Sequence, residues 1–131
     1  MTLEDRKLLL IDLCARLPYG VKYCRESWNY EWDQEMSVVE VLEDIDKEGY
    51  INYHKVYKVW DIKPYLRPMS SMTEEEEKEY SKLWDLQDEF PTDADIRFKT
   101  DVFNWLNAHH FDYRGLIEKG LALEALEGMY K

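Results

Sequence analysis

The chain leaves a period-two hydrophobic pattern for a helical one at a place that two prolines fix. The stretch runs from Ile62 to Glu77 and holds Pro64, Pro68 and the acidic run Glu74 to Glu77. Before it, apolar residues recur mainly with a period of two; after it they recur at helical spacing. Proline cannot donate to a β-ladder and is not tolerated inside a helix. Thr73 is an N-cap residue with Glu76 at the capping-box position, so a helix is expected to start there. The four glutamates lie in its first turn, where the helix dipole favours negative charge. A joint between a sheet-forming half and a helical half is the simplest reading.

Residues 1–18 read as a first helix. Thr2 caps it, with Asp5 as a shorter stand-in for Glu. Leu3, Leu10, Ile11, Cys14 and Leu17 give the apolar stripe, with Leu8 and Leu13 widening it. Leu17-Pro18 and Gly20 end it. Residues 20–63 are rich in β-branched and aromatic residues, and strands are expected near 20–27, 37–45, 50–54 and 56–61. Asp46-Lys47-Glu48-Gly49 reads as a type I turn with a bulge. Residues 64–72 are the joint. In the helical part, 73–127, Tyr80, Leu83, Trp84 and Leu86 face inward on one helix. Ile96, Val102, Phe103 and Leu106 do so on the next. Leu116 to about Ala125 suggests a short third helix, and the last residues are expected to fray. The fold class is therefore α+β in a single domain, 1–131. An N-terminal helix leads into a small curled antiparallel sheet of three to five strands, barrel-like. Two or three C-terminal helices follow. A chain of 131 residues buries enough surface to need no staples.

Composition narrows the function. Asp and Glu number 28 against 17 Lys and Arg, a formal net charge of −11. Displacing counterions from a duplex needs clustered basic residues, so direct nucleic-acid binding is disfavoured, as is an anionic membrane surface. No apolar run approaches the ~20 residues of a membrane span, and no leader pattern is present, so a cytoplasmic location is expected. A protein partner, favoured to be basic, fits the charge better. Cys14 and Cys24 match no zinc or redox spacing and read as free, small buried residues.

Several constellations can be weighed. Trp28, Tyr30 and Trp32 alternate, and on a strand they would share one side as interface anchors. The plainer reading is that they close the floor of the sheet. Tyr65 and Arg67 on the joint, with the outward Glu75 and Glu77, form a second contact candidate. The plainer reading there is a solvated first helical turn. His109 and Asp112, three apart on a turn, make a weak acid/base pair; a loop-holding hydrogen bond is the simpler role. Asp44 to Gly49 echoes the start of a calcium loop, but its twelfth position is Lys55, and the site is rejected. No phosphate loop, no G-x-S-x-G, no H-E-x-x-H and no C-x-x-C is present. No metal or cofactor is expected, and a non-enzyme is favoured.

Three stretches also look familiar: Asp12 to Lys22 (DLCARLPYGVK), Asp61 to Glu75 (DIKPYLRPMSSMTEE) and Trp105 to Ala122 (WLNAHHFDYRGLIEKGLA). The sequence here resembles short uncharacterised proteins of Bacteroides-type gut bacteria and their phages or prophages. That resemblance implies a small accessory protein of a mobile element or its host, and it carries over no catalytic residue. The favoured function is a non-enzymatic protein-binding accessory protein acting on a host or defence protein. The alternatives are an acidic DNA-mimic inhibitor of a nucleic-acid-binding enzyme and a small hydrolase using the His109/Asp112 turn.

Overall fold

A computed structural model describes residues 1–29, 31–53, 56–89 and 95–130; the side chains of 27–29, 86–89 and 95–99 are outside that description. The first helix, α1, spans Leu3–Arg16. Its capping box is present: Asp5 N donates to Thr2 Oγ1 at 3.0 Å, and Thr2 N to Asp5 Oδ2 at 3.4 Å. A 3-10 turn over Leu17–Tyr19 carries Pro18, and Gly20 adopts φ 68°. That left-handed conformation is where glycine costs least.

Two strands, β1 (Lys22–Asn29) and β2 (Gln34–Val41), form an antiparallel hairpin with Lys22 opposite Val41 and Asn29 opposite Gln34. The third, β3 (Lys63–Leu66), pairs antiparallel with β1; β4 (Leu123–Glu124) pairs parallel with β3. The order is β2-β1-β3-β4. The architecture is α+β as expected, but the sheet is mixed and open rather than antiparallel and barrel-like. The parallel strand comes from the C-terminal tail, which arrives at β3 after the helices, and a two-residue strand cannot close a barrel.

The strands expected at 50–54 and 56–61 do not form. Asn52 and Tyr53 both have positive φ, 47° and 62°, which turns the chain instead of extending it. Only isolated bridges, Ile45 with Ile51 and Tyr50 with Lys58, mark the segment. The Asp46–Gly49 turn is there, with Gly49 N donating to Asp46 O at 3.0 Å and Gly49 at φ 92°. Asp46 Oδ1 accepts the amides of Glu48 and Tyr50, both at 2.9 Å. Asn52 pins the loop: its Oδ1 accepts Glu43 N at 2.7 Å and its amide donates to Val41 O at 2.7 Å. The strand after this loop, Lys63–Leu66, lies beyond the expected 56–61 and includes Pro64. There, β4 pairs only from Tyr65 onward, so the proline sits where β3 is still an edge on that side.

The helical half follows the joint. Thr73 and Glu76 exchange both capping-box bonds, Glu76 N to Thr73 Oγ1 at 3.2 Å and Thr73 N to Glu76 Oε1 at 3.0 Å, and α2 runs Glu74–Glu89. Next comes α3, Asp95–Ala108. Leu116 to Ala125 is not a helix. Gly120 at φ 76° ends a single turn, and the chain enters β4. The C-terminus is also not loose at residue 130: the Tyr130 hydroxyl donates to Tyr65 O at 2.7 Å and accepts Lys22 N at 2.8 Å.

One core lies between α1 and the sheet, built from Leu9, Leu13, Val21, Tyr23, Ile62 and Leu66 with Leu116 and Leu121. A second joins Val102, Leu106 and Phe111 to Tyr80, Leu83 and Met72. Each fully buried aliphatic side chain contributes about 1.5–3 kcal/mol. The buried face of α1 differs from the expected stripe. Leu9, Asp12, Leu13 and Arg16 are buried, whereas Leu3, Ile11 and Cys14 are exposed. The helix is rotated because Asp12 and Arg16 go inside as a pair. Phe103 and Trp84 are exposed too, against expectation. Both cysteines are free, but Cys14 is exposed and Cys24 half-buried. Among the described residues no helix is long and apolar enough to cross a membrane.

The Asp12–Arg16 pair is fully buried. Arg16 Nε donates to Asp12 Oδ2 at 2.7 Å and Nη2 to Asp12 Oδ1 at 3.1 Å; Nη2 also reaches the Phe111 carbonyl at 2.6 Å. Arg114 Nη1 adds a bond to Asp12 Oδ1 at 3.0 Å. Removing one partner strands a buried charge. Asp12→Ala is therefore expected to cost about 3–5 kcal/mol in urea unfolding. The double change Asp12→Leu with Arg16→Met should be more stable than Asp12→Ala alone.

Candidate functional site

The joint after β3 is a crossing point rather than a hinge. The Arg67 backbone extends the sheet: its N–H donates to His110 O at 2.7 Å, and its carbonyl accepts Asp112 N at 2.8 Å. Its guanidinium grips Glu76 with two bonds, 2.8 and 2.6 Å, and lies 4.2 Å from the centre of the Phe111 ring. Bidentate pairing of this kind is stronger than a single ionic hydrogen bond. It holds the Glu76 carboxyl at about 2, below its ordinary value, with the bonds from Thr73 assisting.

The segment after α3 closes on Arg67. His110 N donates to Asn107 O at 3.1 Å and Phe111 N to Leu106 O at 3.0 Å, the bond pattern of a Schellman cap. The left-handed position of that cap normally takes glycine. Here it is His110, at φ 63° and only 8% exposed. A bulky residue held this way stores strain, and such positions cluster at functional sites. The His110 ring stacks on Tyr130, centroids 3.7 Å apart, and its Nδ1 is buried with no hydrogen-bond partner among the described residues. Burial, with the positive charges of Arg16, His109, Arg67 and Lys22, pushes its ionisation down to about 4. Burial also pushes the Tyr130 phenol up to about 12. Between these groups lies a cavity of about 350 Å³ lined by Lys22, Arg67, Glu76, His109, His110 and Tyr130.

The residues expected to carry function fall in three places. Arg67 and His109 line the cavity. Tyr65 is adjacent but buried; its phenol faces Cys24, and burial raises its ionisation. His109 and Asp112 do not act as a pair. His109 Nδ1 lies 2.9 Å from Trp105 O, with the ring stacked on Trp105. Both Asp112 oxygens accept backbone amides, Leu116 N at 2.8 Å and Ile117 N at 3.0 Å. The carboxylate builds the turn. Glu75 and Glu77 are exposed on α2, while Glu76 turns inward.

The aromatic trio is split. Trp28 lies on β1 but its side chain is outside the described residues, as is Tyr30 altogether; Trp32 sits in the turn at 31–33 and is 63% exposed. The expected alternation along one strand therefore ends at Asn29. Val39 and Val41 are also exposed, at the end of β2 away from that turn. Sequence reasoning passed over Lys22, Arg16, His110 and Tyr130. Only the adjacency of two histidines hinted at one of them. Left-handed geometry at His110 and the return of the tail to β1 carry no local signal.

No family model matches this chain, and neither a curated protein nor a solved structure is similar to it.

Two carboxyl and imidazole shifts set the acid response. His110 ionises below its ordinary value of 6.5, so the unfolded chain takes up that proton first and stability falls as the pH drops from about 6.5 to 4. Glu76 does the same over the lower window, from 4.5 to about 2. Urea titrations across pH should show both declines. His110→Gly is expected to remove the upper one. Glu76→Gln should remove the lower and cost about 1.5–3 kcal/mol near neutrality.

Proposed function

We propose that this chain is a non-enzymatic protein-binding module, and that its β1–β2 hairpin is the contact surface. The observation that carries this is the edge position of β2. It is eight residues long, lies outermost in the sheet, and contains neither proline nor lysine. Proteins usually blunt such edges, because an open row of backbone groups templates pairing with another strand. Val39 and Val41 are exposed on this strand, where the Asn52 amide bonds Val41 O, and exposed Trp32 lies in the turn at its other end. Main-chain bonds to an added strand supply affinity, and side-chain contacts supply selectivity. Glu26 on β1 and Glu35 on β2 are exposed on the hairpin, which supports a basic partner strand.

The familiar sequence stretches support an accessory role for a phage or mobile element acting on a host or defence protein in the cytoplasm. The engagement of His109 and Asp112 in local structure supports a non-enzyme over a hydrolase. The acidic-mimic reading rests on exposed Glu74, Glu75 and Glu77 in the first turn of α2, which the helix dipole already accounts for.

The test is affinity capture from cells of the native host, with hydrogen exchange on the purified complex. Val39→Lys is expected to abolish capture, and the β2 amides should gain protection in the parent complex. Capture unaffected by Val39→Lys, with protection confined to α2 and a steep loss with salt, would overturn the hairpin reading in favour of acidic mimicry.

A further inference from the structure

The cavity beside His110 runs against the charge of the molecule. The chain carries −11, yet the groups around this space are mainly cationic. Arg67 is balanced by Glu76. Lys22 is paired with no carboxylate among the described residues. Its Nζ donates to Met129 O at 3.0 Å and stands 5.9 Å from the Tyr130 ring. Behind His110 lies Arg16, whose Nη1 is buried with no partner among the described residues. Its carboxylate, Asp12, is shared with Arg114. Lys22 is therefore the lining cation that no carboxylate among the described residues answers. The acids Glu124 and Glu127 line the adjoining cavity of about 500 Å³, not this one.

Such an arrangement is costly unless an anion completes it. Burying an unmatched charge is unfavourable, and so is burying an unpartnered ring nitrogen. His110 is also held in a conformation that glycine adopts more readily. The orphan ring nitrogen and the unanswered Lys22 charge fall on neighbouring residues of one cavity, and an anion there answers both. We infer that the cavity between β1, the Arg67–Glu76 pair, the His109–His110 turn and Tyr130 binds a phosphate group, with Lys22 and His110 as its principal contacts. The cavity falls within the size range of small-molecule sites, which leaves room for more than the phosphate itself. Bound phosphate reverses the local field at His110. The ring then takes up a proton and donates to the anion, against the repulsion of Arg16 on α1, Lys22 on β1, Arg67 on β3 and His109 after α3. Glu76 on α2 remains engaged by Arg67, and Tyr130 stays neutral.

The test is titration of the full chain with inorganic phosphate and with glycerol phosphate, followed by the His110 ring resonances across pH. Saturable binding is expected, with the His110 ionisation moving upward in the complex. Lys22→Gln and His110→Gly should each weaken binding by about tenfold. Glycine is at home in the left-handed conformation, so the second variant keeps its fold, which thermal unfolding verifies. Glu75→Gln, on the outer face of α2, should bind as the parent does. Tighter binding of the ester supports a small phosphorylated molecule as ligand, and equal binding supports the free ion. Absence of saturation, or equal responses in the parent and both variants, would overturn the site.

Discussion

The structure depends on a charge pair that it hides completely. Asp12 and Arg16 sit one helical turn apart on α1 and are both inaccessible to solvent. Two buried charges are tolerable only with good geometry and further hydrogen bonds. Asp12 supplies both oxygens, and the Phe111 carbonyl takes a third guanidinium bond. That third bond joins residues 95 positions apart and fastens the N-terminal helix to the turn that follows α3. Arg114 joins the same carboxylate from the far side of the turn. The rotation of α1, the placing of Phe111 and the posture of His110 follow from this contact.

A second tie lies on the opposite side of Phe111. Arg67 stacks over its ring, grips Glu76 on α2, and pairs its backbone with His110 and Asp112. Phe111 is thereby held between two arginines of different duty, one buried and one reaching α2. The tail completes the enclosure, since Tyr130 spans from Lys22 on β1 to Tyr65 on β3. A cationic pocket in an acidic protein results from these ties. The same ties leave β2 outside, as the strand farthest from the tail. Lys22 of the pocket lies on β1 directly opposite Val41 of β2, so the pocket adjoins the hairpin proposed as the contact surface.

Local chemistry was legible in the sequence, and long-range chemistry was not. Both capping boxes, at Thr2 with Asp5 and at Thr73 with Glu76, were readable because their partners are three residues apart. So was the Asp46–Gly49 turn. The buried face of α1 was misread because hydrophobic spacing carries no term for a buried ion pair. Asp12 and Arg16 look like a solvated i,i+4 pair until Phe111 and Arg114 are placed beside them. Pro64 suggested the end of a strand, but proline is accepted where one edge is still free. The β4 pairing and the Tyr130 anchor join residues far apart in sequence, and two residues of strand are too few for a periodic signal. Of the site, Arg67 and His109 were readable from their surroundings in sequence. Lys22, His110 and Tyr130 become visible only when the tail folds back.

The account stands on Arg16 being charged, buried and bonded within the folded chain. Its guanidinium Nε–H proton reports on all three, because a solvent-exposed arginine exchanges that proton rapidly at neutral pH. The measurement is proton exchange at Arg16 Nε by nuclear magnetic resonance in the intact protein. A resolved, slowly exchanging resonance with cross-relaxation to Asp12 and Phe111 is predicted. A resonance exchanging as fast as those of exposed arginines would contradict the account.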